Sequence, residues 1–447
     1  MKLLGSASRW IFVAALAYAP WAYGGTTASS IATLNWLLVA TLALWLVDLS
    51  IRRRVPKFPP VLIISIAALT GIGAWMAFNA SAICDSEFHS FVALAQPAPR
   101  LPGSIDYALS AAWMIRVGLL LGILLFVVDL ARDDRWLLWL WSAIGVIAGS
   151  IALLGLLQKA TGAGTIFWQP APPYASRTFF ATYYYHGNAG AYLNLVLPLT
   201  AGLVVRAFLT RGNSASRALW LTIFVLTLVA VAANTSRMAQ LIALMLLLAL
   251  AWQLGPRVAR RLSRTEKNVA LGGAAAILAA LLAVAQASHL EQPIQRWEGI
   301  SITQDARWLA ATVAMRSIAQ AGAFGFGPGT FRAVFPWLND SASVHAPGYW
   351  RFLHEDYLQV ALEWGWLGSL PWAVVFFGGI FAAIRAFRAP NSRKWAPRRR
   401  LLLPLVITAL AGVALHGLVD FPLQISSIQL YVATYLGLCW GAKTWTS

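Results

Sequence analysis

The chain has 447 residues, 59% hydrophobic and only 11% charged, with a mean hydropathy of +0.66 and a formal net charge of +18. Apolar runs of about 18 to 22 residues recur along it, which excludes a set of soluble domains and marks a polytopic membrane protein. Nor does the charge imply nucleic-acid binding: "RRRVPK" (52–57), "RVARRLSRTEK" (257–267) and "RAFRAPNSRKWAPRRR" (385–400) each stand between two apolar runs, where basic residues mark cytoplasmic loops.

In chain order the apolar windows predict about twelve membrane helices, at 9–24, 31–51, 61–79, 109–129, 137–157, 189–209, 218–234, 237–254, 269–287, 366–386, 401–419 and 427–444. The first follows Lys2 and Arg9 and lacks a clear small-residue cleavage site, so it reads as a retained helix rather than a signal peptide. With the N-terminus inside, every basic connector falls on the cytoplasmic side, and both termini are cytoplasmic. The fold class is therefore all-α, one transmembrane domain over 1–447. The two cysteines, Cys84 and Cys439, lie in an outer connector and in the last window, and do not indicate a disulfide framework.

Three outer connectors are long: about 80–108, about 158–188, and the loop at 288–365 between the ninth and tenth windows. Within the last, "TQDARWLAATVAMRSIAQAG" (303–322) has helical apolar spacing and ends at Gly322, "GFGPGTF" (325–331) reads as a tight turn, and "HEDYLQVALEWG" (354–365) as a second helix closed by Gly365. "GFGPGTF" follows no strand and lacks the Lys-Ser/Thr ending of a phosphate loop, and "HEDYL" lacks the second His of a zinc-binding HExxH.

All six histidines, His89, His186, His289, His345, His354 and His416, fall at or near the outer face. Glu355 and Asp356 are placed to complement the positive end of the helix dipole. A neutral imidazole at His354 can accept a proton from a hydroxyl. Arg177, Arg237 and the intramembrane Arg116 stand where the positive-inside rule disfavours cations. A guanidinium there suits phosphate oxygens, which its planar fork binds in pairs. Asn188 in "HGNAG" and Asp420 in "HGLVDF" are polar groups at outer helix ends, explained by capping or packing as readily as by function.

In this order the motifs resemble those of the O-antigen ligase and O-antigen polymerase superfamily of bacterial envelope glycosyltransferases. The resemblance covers 150–445: Arg177 with "HGNAGAYL", Ser236-Arg237 at the start of a later span, Arg307-Trp308, "GFGPGTF", "HEDYLQVALEWGWLG" and "HGLVDFPL". Glu355 stands where relatives more often have Asn, and "YYYHGN" where many have an Asn-Pro-Asn type segment. The resemblance implies a GT-C-like architecture in the bacterial inner membrane, with the 288–365 loop capping a periplasmic cleft open to the outer leaflet. It implies a metal-independent, inverting transfer, without cofactor, of a glycan from an undecaprenyl diphosphate carrier to a hydroxyl acceptor, either lipid A core or a growing polysaccharide. Arg177, Arg237 and Arg307 would then bind the donor diphosphate and His354 would act on the acceptor, with Arg116, Asn188, Asp356 and Asp420 in support. Ligase, polymerase and protein O-glycosylation remain open within this resemblance. The competing expectation is a transporter of bicarbonate or another small solute, with Arg116 lining its path.

Overall fold

The computed structural model describes residues 2–85, 90–169, 178–210, 212–260 and 306–445. Arg177, the ninth predicted span (269–287) and the start of the long loop lie outside the described residues. The chain is built of helices: α1 (Lys2–Trp21), α2 (Ala28–Ile51), α3 (Pro60–Phe78), α4 (Tyr107–Leu130), α5 (Asp134–Ala160), α6 (His186–Leu209), α7 (Ser214–Ala233), α8 (Arg237–Ala259), α9 (Ala306–Ala321), α10 (Phe331–Asp340), α11 (Asp356–Arg388), α12 (Pro397–His416) and α13 (Ser426–Gly441). Among the described residues nine of these, α2 to α8, α11 and α12, are long and apolar enough to cross a membrane. Helices α1 and α13 coincide with the first and last predicted windows but fall outside that set; α13 has only 16 residues. The connector after α3 adds a small antiparallel hairpin, β1 (Ala82–Asp85) with β2 (Ser90–Ala93), that the apolar pattern did not announce.

The bundle is centred on α6 and α13. Every residue of α13 except Gln429 is buried, as are 187–203 of α6 without a break. The peripheral helices instead turn bulky apolar side chains outward, among them Trp36, Leu46, Ile64, Trp252 and Phe381. Such a surface is stable only against hydrocarbon, and it is why these helices have no polar stripe.

At one end of the bundle the scarce acids are matched to arginines. Arg54 grips Asp129 with two bonds of 2.6 Å, Trp45 Nε1 donates to the same carboxylate at 3.0 Å, Arg9 pairs with Asp133 at 2.7 Å, and Arg398 and Arg399 close on Asp134. Bidentate, partly enclosed pairs of this kind fix geometry better than they add stability.

At the other end α9, α10 and the first turns of α11 form a cap with its own core of Ala310, Val313, Ala314, Phe331, Phe335, Leu338 and Leu353. The Gly-rich turn joins this cap to the bundle. Phe326 N donates to Leu362 O and Gly327 N to Glu363 O, both at 2.9 Å, while Leu367 N returns to Ala323 O at 2.9 Å. This pairing breaks α11 at Gly365 (φ 64°, ψ −176°), where the sequence placed a helix end. A Cβ on Gly365 would lie 2.4 Å from the Ala323 carbonyl, and one on Gly325 2.4 Å from that of Glu363, so both positions demand glycine. Glu363 then accepts from Gly329 N at 3.0 Å and Phe331 N at 3.2 Å, capping α10. A protein carboxylate thus already occupies the amides that a phosphate loop would offer, and "GFGPGTF" is a structural turn.

Candidate functional site

His354 sits at the junction of cap and bundle. Its backbone is left-handed (φ 61°), uncommon for a residue other than Gly though less so for His than for most, and the chain is clamped on both sides. Leu353 N donates to Gln359 Oε1 at 3.0 Å, and Asp356 N to Gly417 O at 2.8 Å. Glu355, not Asp356, is the N-cap of α11, its carboxylate accepting from Leu358 N. Burial pushes its carboxyl up, against the pull of those backbone amides. Asp356 is the first helical residue and is fully buried. Its carboxylate takes Leu423 N at 2.9 Å and Gln424 Nε2 at 3.0 Å, pinning the 417–425 turn against the start of α11. It is a positioning residue.

That turn carries Asp420, whose Oδ1 lies 2.9 Å from His354 Nδ1. Tyr185, directly before α6, donates its hydroxyl to Asp420 Oδ2 at 3.0 Å, and Arg307 Nη2 donates to the Tyr185 oxygen at 2.9 Å. Two side chains from separate segments, His354 and Tyr185, therefore meet on one buried carboxylate, with Arg307 behind Tyr185. Burial raises the Asp420 carboxyl, but the His354 hydrogen bond and the nearby His416, with Arg307 beyond, outweigh it and hold the group below its usual range. Burial, then Asp420, drive the Tyr185 phenol far up, so it remains a donor. An ionised Asp420 accepts only, so Nδ1 of His354 carries a proton in this bond, and in the neutral imidazole Nε2 is then the nitrogen with the lone pair. Phe421 stands edge to face with the imidazole at 4.5 Å, and Trp350 at 5.7 Å, holding the ring in place.

His354 lines a cavity of about 830 Å³ together with Arg116, Tyr185, Asn188, Arg332 and Arg351. Of the residues singled out from sequence, the structure brings His354, Asn188 and Arg116 to this space, with Asp420 behind His354 on its Nδ1 side and Arg307 joined to it through Tyr185. Asp356 lies behind it. Arg237 opens α8 at the same end of the bundle, after Asn234, whose Nδ2 holds His186 O at 3.0 Å, but it is not on the cavity wall. His416 stands 4.0 Å from Asp420, one helical turn before it.

Tyr185 was missed because it reads as one of three consecutive tyrosines ("YYYHGN"); Tyr183 is buried against Ser427 and Tyr184 is exposed, so only the third reaches the carboxylate. Arg332 and Gln424 gave no sequence signal. Position in a motif does not reveal which cavity a side chain enters.

No protein-family model matches this chain, and no curated protein matches it at a significant level.

Proposed function

We propose that this protein is a membrane glycosyltransferase of the O-antigen ligase or polymerase type, moving a glycan from an undecaprenyl diphosphate carrier to a hydroxyl acceptor at the periplasmic face of the inner membrane. The observation that supports it best is the Arg307–Tyr185–Asp420–His354 chain ending in an imidazole acceptor nitrogen on a cationic cavity at one end of the bundle. Asp420 orients the ring and stabilises the imidazolium as Nε2 takes the proton of the acceptor hydroxyl. The acceptor oxygen bonds to the anomeric carbon from one face while the carbon–oxygen bond to the diphosphate breaks on the other, inverting the centre. Guanidinium groups compensate the charge on the departing diphosphate. The resemblance gives this role to Arg177 and Arg237, while Arg307, already donating to Tyr185, acts on the acceptor side through Asp420. The cap over the cleft and about twelve spans complete the GT-C-like architecture of this proposal.

The test is transfer in vitro from an undecaprenyl-diphosphate-linked oligosaccharide, with EDTA present, to lipid A core or to a second glycan chain. Product formation that resists EDTA is expected, and the acceptor used separates ligase from polymerase. A strict divalent-metal requirement would overturn the mechanism. Solute flux into proteoliposomes without glycan transfer would favour the transporter.

A further inference from the structure

The cavity that holds His354 carries more cationic charge than its own residues balance. Arg116 stands on membrane helix α4, its guanidinium 4.7 Å from the Trp113 ring and bonded to Ser426 Oγ at 3.1 Å, with Nε enclosed and without a hydrogen-bond partner among the described residues. Arg351 is near enough to repel it, and Arg332 of α10 lines the same wall. None of the three is in an ion pair among the described residues. Among the described residues the one acid on that wall, Glu363, already accepts from Gly329 N, Phe331 N and Gln359 Nε2. Arg332 and Arg351 are exposed, but Arg116 is enclosed on a membrane helix, where a guanidinium without counter-charge is costly unless an anion joins it.

A second hollow, of about 470 Å³, opens between α4, α11 and α13 and is walled by side chains such as Val117, Leu121, Phe376 and Leu436. It shares Trp113, Glu363 and Gln424 with the cationic cavity, so charged and apolar spaces are contiguous. Contiguity of this kind fits a ligand with an anionic head and a hydrocarbon tail.

We propose that Arg116, Arg332 and Arg351 bind the phosphate headgroup of an amphiphile whose hydrocarbon tail lies in the α4–α11–α13 groove. Identifying this amphiphile with the lipid-linked donor rests on the glycosyltransferase reading; the binding site itself does not. Arg116, first noticed as an isolated intramembrane cation, thereby gains two partners from the cap.

Full-length protein in a non-ionic detergent is titrated with farnesyl diphosphate, inorganic pyrophosphate and farnesol, following thermal shift. Farnesyl diphosphate binds more tightly than either fragment, by about tenfold or more. Arg116→Gln and Arg351→Gln each weaken its binding by a similar factor and leave farnesol unchanged. Arg351 is exposed on a loop, so its variant reads binding even if Arg116→Gln folds poorly. Absence of farnesyl diphosphate binding, or undiminished binding in both variants, overturns the inference. Pyrophosphate binding as tight as farnesyl diphosphate overturns the tail groove, and farnesol binding as tight overturns the arginine headgroup site. A protein that binds farnesyl diphosphate through these arginines yet transfers no glycan refutes the proposed function and leaves the site standing.

Discussion

His354 earns attention through its neighbours rather than its sequence motif. Asp420 holds its Nδ1, and Tyr185 and Arg307 hold Asp420. Asp420→Asn removes the charge that steadies the imidazolium and is expected to lower the transfer rate by about 10²-fold or more; Tyr185→Phe, which removes one donor to that carboxylate, should cost less. Product formation under saturating donor checks both. The same carboxylate gives a pH signature. Its folded-state titration lies below the ordinary value of 3.8, so its stabilising contribution is complete above that value and is lost as pH falls through the lower folded one. Melting temperature should therefore drop below about pH 4 in the wild type and drop less in Asp420→Asn. At this scale the sequence singled out His354 and Asp420 as polar groups expected on one face, but contact between residues 66 positions apart is a product of folding. Glu355, which stands where an Asn was expected, is the cap of α11 and accepts from Leu358 N.

The elements were more legible. Most membrane helices were read from apolar length alone, and the break at Gly365 from the glycine after "HEDYLQVALEW". The Gly-rich turn was legible as a turn; that its backbone pairs with 362–367 was not, because such pairing has no composition of its own. Gly365→Ala and Gly325→Ala each set a Cβ 2.4 Å from a carbonyl at positive φ, and each should destabilise the cap by about 2 kcal/mol or more. Proteolysis of the cap at increasing temperature, compared with the wild type, measures this. Glu363→Ala strips the N-terminus of α10 and leaves its amides unpaired, at a cost of about 1 to 3 kcal/mol. The paired strands β1 and β2 escaped the reading, since four-residue strands carry too short an alternation to register.

On the whole-molecule scale, the chain alternates between a basic end, where arginines from α1, the loop after α2 and the start of α12 pair with four aspartates near the α2 and α4–α5 ends, and an end that carries the cap and His354. The basic-loop count assigned the first to the cytoplasm, and labelling can check it. Cys84, exposed in the connector at the His354 end, should react with an impermeant maleimide added to intact spheroplasts, while Cys439, buried in α13, should not. A cysteine in place of exposed Asn391 at the basic end should react only after the membrane is opened. The reverse pattern would invert the molecule and remove His354 from the face where a lipid-linked donor is displayed.

The central claim is that His354, held by Asp420, takes the acceptor's proton during glycan transfer. Single-turnover transfer from an undecaprenyl-diphosphate-linked oligosaccharide measures it most directly, with wild type compared to His354→Ala and Arg237→Ala at matched folded protein. The account predicts that His354→Ala slows the chemical step by about 10² to 10⁴-fold while donor binding persists, and that Arg237→Ala also loses rate. Undiminished turnover in His354→Ala would contradict it.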